Sequence, residues 1–481
     1  EGSADHVFDQ KKMLIMSDLE RFAHVHNPLL DSMRKQKVRS FIICPLEYEK
    51  DIIGFLELTS GKPHVLNSVL ANKLEEVTQL FTVAMQRSLE EMETRKEAIV
   101  QEKFTSIHPS VSWRFFEVAE NVLQARQQGR PDPNEEVIFR DVIPIYGQFD
   151  IRGSSTARNL SIQADLVKQL VRAEEVMAAA LKRKEWPIYD QLGHRIRAYR
   201  EHLESSINAG DEVKILDFLK SEIYPVFNHL ASMDGALSDT VGAYKMALDP
   251  ELGVIYEKRK KYEDSVTMIN EAIAQLVDEE EARAQAMFPH YFEKYKTDGV
   301  EYNLYVGQSL LQNLTFDPVH LKNLRIWQLL MTYRVEQHLR EMQSALPMPL
   351  EITSLILAHS APLSIKFRQD EKKFDVDGAY NIRYEIVKKR IDKANIKGTT
   401  ERLTQPGKLA IVYSHDDEVF EYDQYLQYMK AQGMLTGDIE HVELEDLQGT
   451  AGLKALRGTL QYSDTPIDTT DLEKAIQEVK N

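Results

Sequence analysis

The chain has 481 residues, of which 43% are apolar and 28% charged, with a formal charge of −17 and one cysteine, Cys44. That length predicts about two to four domains, each with its own core. The composition excludes collagen-like, disulfide-stapled and long disordered chains, the acidic balance argues against polyanion binding by the surface as a whole, and no apolar run approaches the ~20 residues of a membrane span.

A mixed α and β fold is expected, in the order α/β domain, helical bundle, α+β domain. In "SFIICPLEYEKDIIGFLELTS" two β-branched and aromatic runs flank a charged turn, the pattern of paired strands. Leu70, Leu74, Val77, Phe81 and Ala84 then recur at spacings of four and three, which predicts one face of an amphipathic helix. It continues to about Val100 with a thinner seam of Leu89, Met92 and Ile99, as in a dimer-forming stalk or a spacer. "QARQQGRPDPNEE" reads as a linker, and "VIFRDVIPIYGQFDI" as one or two short strands. Apolar stripes from about Thr156 to Met342, with Leu166, Leu170, Ala173, Met177 and Ala180 the clearest, predict a bundle of about six helices. Strands return from Pro347: "LEITSLILAHSAPLSIKF", "KLAIVYS", "IEHVELEDL" and "LKALRGTLQY" are interleaved with helices in "AYNIRYEIVKKRIDKA" and "EYDQYLQYMKAQG", the last closed by Gly433. The expected division is therefore 1–90, a stalk and linker over 91–135, a bundle with opening strands over 136–346, an α+β domain over 347–462 and a tail over 463–481.

The stretch from Leu19 to Leu89 resembles the second half of a GAF domain, most clearly over 40–89. Pro45-Leu46 follows one strand, Ile-Gly-Phe-Leu-Glu-Leu opens the next, and a closing helix begins near Leu70. The resemblance implies a partial sensory domain with a central antiparallel sheet, dimeric through its terminal helices, with a small-molecule ligand of the kind such domains take. The runs "FTSIHPSVSWRF", "YGQFDIRGSS", "FPHYFEKYKTDGVEYNLYVGQS" and "YNIRYEIVKKRIDKA" make the rest similar to uncharacterised bacterial GAF-containing proteins.

The candidate chemistry is sparse. Asp150-Ile151-Arg152-Gly153 resembles the opening motif of phosphohexomutases. That resemblance implies a phosphoserine loop and an Asp-x-Asp-x-Asp metal loop, whereas the chain has no Ser-His-Asn-Pro run and offers only Asp375 and Asp377 downstream. The structural reading is a turn in which Gly153 supplies freedom and Ser154, Ser155 or Thr156 caps a helix. The functional one is an anion site using Asp150, Arg152, Ser154, Ser155 and the free N–H groups of a helix start. In "MFPHYFEKYKTDGVEYNLY", His290, Glu293, Asp298 and Glu301 are ligand or acid–base candidates, with His290 and Glu293 on one face of a helix beginning after Pro289. The aromatic residues between them suit packing at a helix joint. Arg383, Lys388, Lys389, Arg390 and Lys393 form a basic helix face over 379–393, either solvated or a site for phosphate, nucleic acid or an acidic protein. His108 sits in a helix-breaking Ser-Ile-His-Pro run with no ATP-binding boxes downstream, and Cys44 lies within a strand, where thiols are inert.

No Walker-A, Gly-x-Gly-x-x-Gly, His-Glu-x-x-His or Gly-x-Ser-x-Gly motif occurs. The expectation is a cytoplasmic, non-catalytic regulatory or scaffold protein. It would be homodimeric through residues 70–100, open to a protein partner, with no membrane or general nucleic-acid contact, no metal and no identified cofactor. The alternatives are an enzyme of unrecognised type using Asp150–Ser155 together with His290–Glu301, and a phosphate or nucleic-acid binder using the basic helix.

Overall fold

The computed structural model describes residues 11–462 except 23, 26, 27, 105, 106, 234, 378–381, 389 and 448–450. The expected tail, 463–481, and Lys389 lie outside the described residues. The chain divides into two compact units, one of 1–107 with 112–135 and 369–372, the other of 108–111, 136–368 and 373–481.

Unit 1 holds a three-stranded antiparallel sheet in the order β1 (Leu14–Met16), β2 (Ser40–Tyr48), β3 (Asp51–Ser60). Its helices are α1 (Pro28–Lys35), α2 (Ser68–Phe104) and α3 (Ser112–Gln127). The predicted strand pair closes through Glu49 and Lys50, both at positive φ (48° and 78°), the two-residue turn whose twist matches paired strands. β2 is buried over its first seven residues because both its faces are covered. Phe41 and Ile43 pack on Leu19, Leu30, Met33 and Val38, while Ile42 packs on Leu66, Ala71, Leu70 and Leu74. Strands covered on both faces lose the polar alternation of a half-exposed sheet. The Cys44 Sγ is buried 3.3 Å from the Thr78 Oγ1. The far end of α2 packs on α3 through Phe104 and Phe115, whose rings meet edge to face at 4.9 Å.

Unit 2 is built on β4 (Ile138–Ile151), a single 14-residue strand rather than two short ones. It bends at Asp141 (φ 54°), where its pairing with β8 (Leu363–Arg368) shifts register. Pro144 follows the bend, after the β8 pairs and before those with β7 (Ile352–Leu357), so its missing N–H costs no ladder bond on that edge. The chain then runs through α4 (Ser154–Arg183), α5 (Pro187–Ser205), α6 (Asp211–Phe218), a π-turn, α7 (Tyr224–Met233), α8 (Gly235–Met246) and α9 (Lys258–Met287). The first five of these helices enclose one core, including the predicted stripe from Leu166 to Ala180.

After α9 the structure departs from the helical expectation. The run 291–306 is a β-hairpin, β5 (Tyr291–Thr297) and β6 (Gly299–Val306), not a helix joint. It is followed by α10 (Pro318–Met342), whose first turn is closed by a capping box of Asp317 and His320. Then come β7, β8, β9 (Lys373–Val376), the short α11 (Ile382–Lys388), β10 (Lys408–Tyr413), α12 (Asp416–Ala431), β11 (Leu435–Glu443) and β12 (Lys454–Leu460).

One sheet runs in the order β11-β12-β10-β7-β4-β6-β5, with β8 and β9 attached beside β4. The expected boundary at 346/347 is therefore absent, since β4 pairs with β6 on one side and β7 on the other. The connection β4–helices–β5–β6–α10–β7 is a split β-α-β-β-α-β motif, its first crossover enlarged to six helices. α9 and α10 cover one sheet face around Ile145, Phe149, Ile151, Val300, Tyr302 and Leu304. α12 extends that cover over β10 and β12.

Candidate functional site

The last residues of β4 carry the run that stood out in the sequence. Asp150 pairs with Gly299 on one side and Thr353 on the other. Gly299 is required there: a Cβ at that position would stand 2.1 Å from the Phe149 carbonyl oxygen. The chain leaves β4 through Gly153, in the left-handed region at φ 65°, which is the N-cap of α4 and provides no side-chain cap. The predicted hydroxyl cap is therefore not what Ser154 does.

Ser154 is buried and donates to the Asp298 Oδ2 at 2.8 Å, while its oxygen lies 2.6 Å from the Tyr262 Oη. With the serine proton on the carboxylate, Tyr262 is the donor in the second bond. Burial pushes the Tyr262 hydroxyl up from the ordinary phenol range. The hairpin tip is held on its other sides by the Ile151 N–H on the Asp298 carbonyl (3.0 Å) and the Asn270 amide on the Thr297 carbonyl (2.8 Å). The Arg152 N–H donates to the Glu351 carbonyl at 2.8 Å. Arg152, Ser155 and Asp298 are exposed around this corner, and Asp150 is half-buried. Two carboxylates, exposed hydroxyls, an arginine and the positive end of a 30-residue helix thus share one end of the sheet.

His290 and Glu293 do not join this corner. Tyr291 is in register with Tyr305, and Tyr305 with Pro144, six positions back along β4 from Asp150, a separation of about 20 Å. Because the run is a strand, residues 290 and 293 point to opposite faces instead of sharing one helical face. His290 is fully buried; its Nδ1 donates to the Phe288 carbonyl at 2.8 Å, and its Nε2 lies 3.7 Å from Glu281. His108 approaches the same Glu281 oxygen at 3.6 Å. Burial pulls His290 down to about 4, so its ring is neutral at neutral pH.

Glu293 belongs to a second polar arrangement on the sheet face away from α9 and α10. Strand alternation puts Tyr146, Gln148 and Asp150 of β4, Glu301, Asn303 and Tyr305 of β6, and Tyr291, Glu293 and Tyr295 of β5 on that face. Tyr291 donates to Glu293, and Tyr146 to Glu301 at 3.2 Å. Burial raises the Glu293 carboxyl above the usual range. Tyr384 of α11 is buried, and the Lys388 ammonium lies 5.4 Å from the Tyr146 ring centre and 3.6 Å from Glu385. Of the predicted basic face, Lys388 is thus drawn toward the tyrosines, and Arg390 and Lys393 are exposed. The side chains of Arg383 and Lys389 lie outside the described residues. Among the described residues no three His, Cys, Asp or Glu side chains converge as a metal site, so His290, Glu293, Asp298 and Glu301 do not form one.

Sequence reasoning grouped Asp298 with His290 and missed its partnership with Ser154 and Tyr262. The available signal was Asp298-Gly299 between alternating aromatic residues, a short-range hairpin signature.

Residues 160–273 match the family model described as YeeD uncharacterised protein, a match confined to the helical segment and not reaching 40–89. No curated protein matches the chain. Among solved structures, the chain is similar to the guanylyl cyclase Cya2 at 12% identity and a TM-score of 0.24, over 42% of this chain and 82% of that one. It is similar to the adenylyl cyclase CyaB from P. aeruginosa at 10% identity and a TM-score of 0.26, over 69% and 98% respectively. Similarity of this size carries no statement about activity.

Proposed function

We propose that the chain is a non-catalytic regulatory protein. In this reading unit 1 is a GAF-like module that self-associates through α2, and unit 2 binds a phosphate-bearing small ligand where β4 runs into α4. The observation that carries the ligand site is the contact of Ser154 with Asp298 across 144 residues of chain, at the start of a long helix. Helix N-termini favour anions, and Arg152 and Ser155 stand exposed beside this one. Mg²⁺ is commonly bound by one or two carboxylates together with the phosphates of its ligand. The exposed Asp298 carboxylate therefore suits a cation that arrives with the ligand rather than a resident metal.

Self-association is supported by the outer face of α2. Leu70, Ala71 and Leu74 pack toward the sheet, whereas Val69, Leu80 and Val83 are 68%, 70% and 62% exposed on the opposite side. A 37-residue helix is about 55 Å long, ample for the ~800 Å² per partner of a standard interface. A second copy of the same helix presents a matching stripe.

The second reading is an enzyme at the same corner, favoured by the exposed Asp298 carboxylate beside the helix start, since metal-bound phosphates are also the substrates of phosphoryl transfer. Thermal unfolding of the full chain with Mg²⁺, ATP and both together tests these readings. Stabilisation that needs both and disappears in Asp298→Asn supports the ligand site; no shift in any mixture refutes it. Release of phosphate or pyrophosphate from ATP by the wild type, lost in Asp298→Asn, would replace the non-catalytic reading with the enzymatic one.

A further inference from the structure

A cavity of about 150 Å³ opens on the helix-covered side of the unit 2 sheet, beside the β4–α4 corner: its lining residue Ile352 pairs with Ile151, and the Glu351 carbonyl accepts from the Arg152 N–H. Leu339, Leu346, Leu350 and Ile352 supply its apolar wall, and Glu336 and Arg340 of α10 its charges. Glu336 is 3% exposed, and its Oε1 has no hydrogen-bond partner. The other oxygen, Oε2, accepts only a long bond from the Tyr462 hydroxyl, 3.4 Å. Beside it lies the buried Ser354 hydroxyl, which favours the ionised carboxylate. Leaving a buried polar atom unpaired costs about 1–3 kcal/mol, more for a charged one.

Glu336 and Arg340 are four residues apart on one helix, the spacing at which opposite charges ordinarily meet. Here the Arg340 guanidinium lies over the Tyr462 ring instead, 5.5 Å from its centre. An acid with a spare oxygen and a base turned onto an aromatic ring thus flank a cavity with an aliphatic wall. Glu351 stands exposed at the rim. The complement of this arrangement is a molecule with adjacent positive and negative groups and a short hydrocarbon branch. A cavity of this volume holds a body of roughly benzene's bulk.

We propose that this cavity binds a small aliphatic α-amino acid, its ammonium group received by Glu336, its carboxylate by Arg340, and its side chain by Leu339, Leu346, Leu350 and Ile352.

The site carries its own pH signature. Burial raises the Glu336 carboxyl to about 7, with Ser354 and Tyr462 opposing the shift. Only the ionised form receives an ammonium group, so apparent affinity scales with the ionised fraction. That fraction rises about tenfold between pH 6 and pH 8.

Isothermal titration of the full chain with L-valine, isobutylamine and isovalerate tests the proposal. The expected result is saturable L-valine binding, with each half-molecule at least about tenfold weaker. Affinity for L-valine rises about tenfold from pH 6 to pH 8, binding is lost in Glu336→Gln, and it weakens at least tenfold in Arg340→Met. Arg340 is exposed, so that variant keeps the fold even where Glu336→Gln does not. The proposal is overturned if L-valine shows no saturation up to about 10 mM, if isobutylamine or isovalerate alone binds as well, or if Arg340→Met binds L-valine like the wild type.

Discussion

The contact joining the two distant segments of the candidate site can be measured as a coupling energy. Ser154→Ala removes the donor to Asp298 and the acceptor of the Tyr262 hydroxyl together. Asp298 is exposed and regains water, so that bond costs about 0.5–1 kcal/mol. Tyr262 is 4% exposed, and its hydroxyl is left without this acceptor, at a cost of about 1–2 kcal/mol. The single variant should therefore lose about 1.5–3 kcal/mol. Tyr262→Phe leaves Ser154 on Asp298 and should lose about 1 kcal/mol. With the serine already gone, removing the phenol oxygen eliminates the orphan, so the double variant should be no less stable than Ser154→Ala. The resulting coupling is at least about 1 kcal/mol. Urea unfolding followed by tryptophan fluorescence reads it, because Trp327 lies in the same core as Tyr262 and Phe149. Losses that add to within about 0.3 kcal/mol would refute the shared hydrogen bond and, with it, the juxtaposition of the β4 corner and the hairpin tip.

Replacing Leu80 and Val83 together by glutamate should convert a dimer to a monomer in light scattering without lowering the helix content, since both side chains face away from the sheet. Glu336, with its folded pKa raised from 4.5 to about 7, contributes stability that is fully present below pH 4.5 and lost as pH rises through 7. Glu336→Gln should therefore gain on the wild type between pH 5 and pH 8, by on the order of 3 kcal/mol in urea midpoints converted to free energy, and a constant difference across that range would contradict it. His290 has the opposite sign: its folded pKa is depressed from 6.5 to about 4, so its contribution is present above pH 6.5 and lost as pH falls toward 4. A His290→Gln variant that still folds should show a shallower acid limb in a pH series of thermal unfolding.

Much of the local structure was legible in the residues because its causes are local. The strands around Cys44 and Phe55, the start of α2 near Leu70, the stripe through Leu166 and Leu170, and the glycine stop at Gly433 each follow from periodicity or turn chemistry. The 291–306 hairpin was misread because the aromatic residues spread over both its strands suit packing at a helix joint as well as a sheet. In β6 the apolar Val300, Tyr302, Leu304 and Val306 do alternate with Glu301, Asn303 and Tyr305 as a half-buried strand should, but tyrosines stand on both faces of the hairpin and blur that period. Of the candidate site, Asp150, Arg152, Ser154 and Ser155 stood out as a group, but Asp298 and Tyr262 did not.

Outside the 291–306 hairpin, the sequence by itself determined most element types, the glycine-led helix start at Gly153 and the acidic character of the surface, since these depend on neighbours a few residues away. Only the tertiary structure decided that 136–346 and 347–462 share one sheet, that Ser154 faces Asp298 and that Glu336 and Arg340 flank a cavity. Strand order and side-chain meetings across more than a hundred residues are set by how β4 pairs with β6 and β7, and no local pattern records which strands become neighbours.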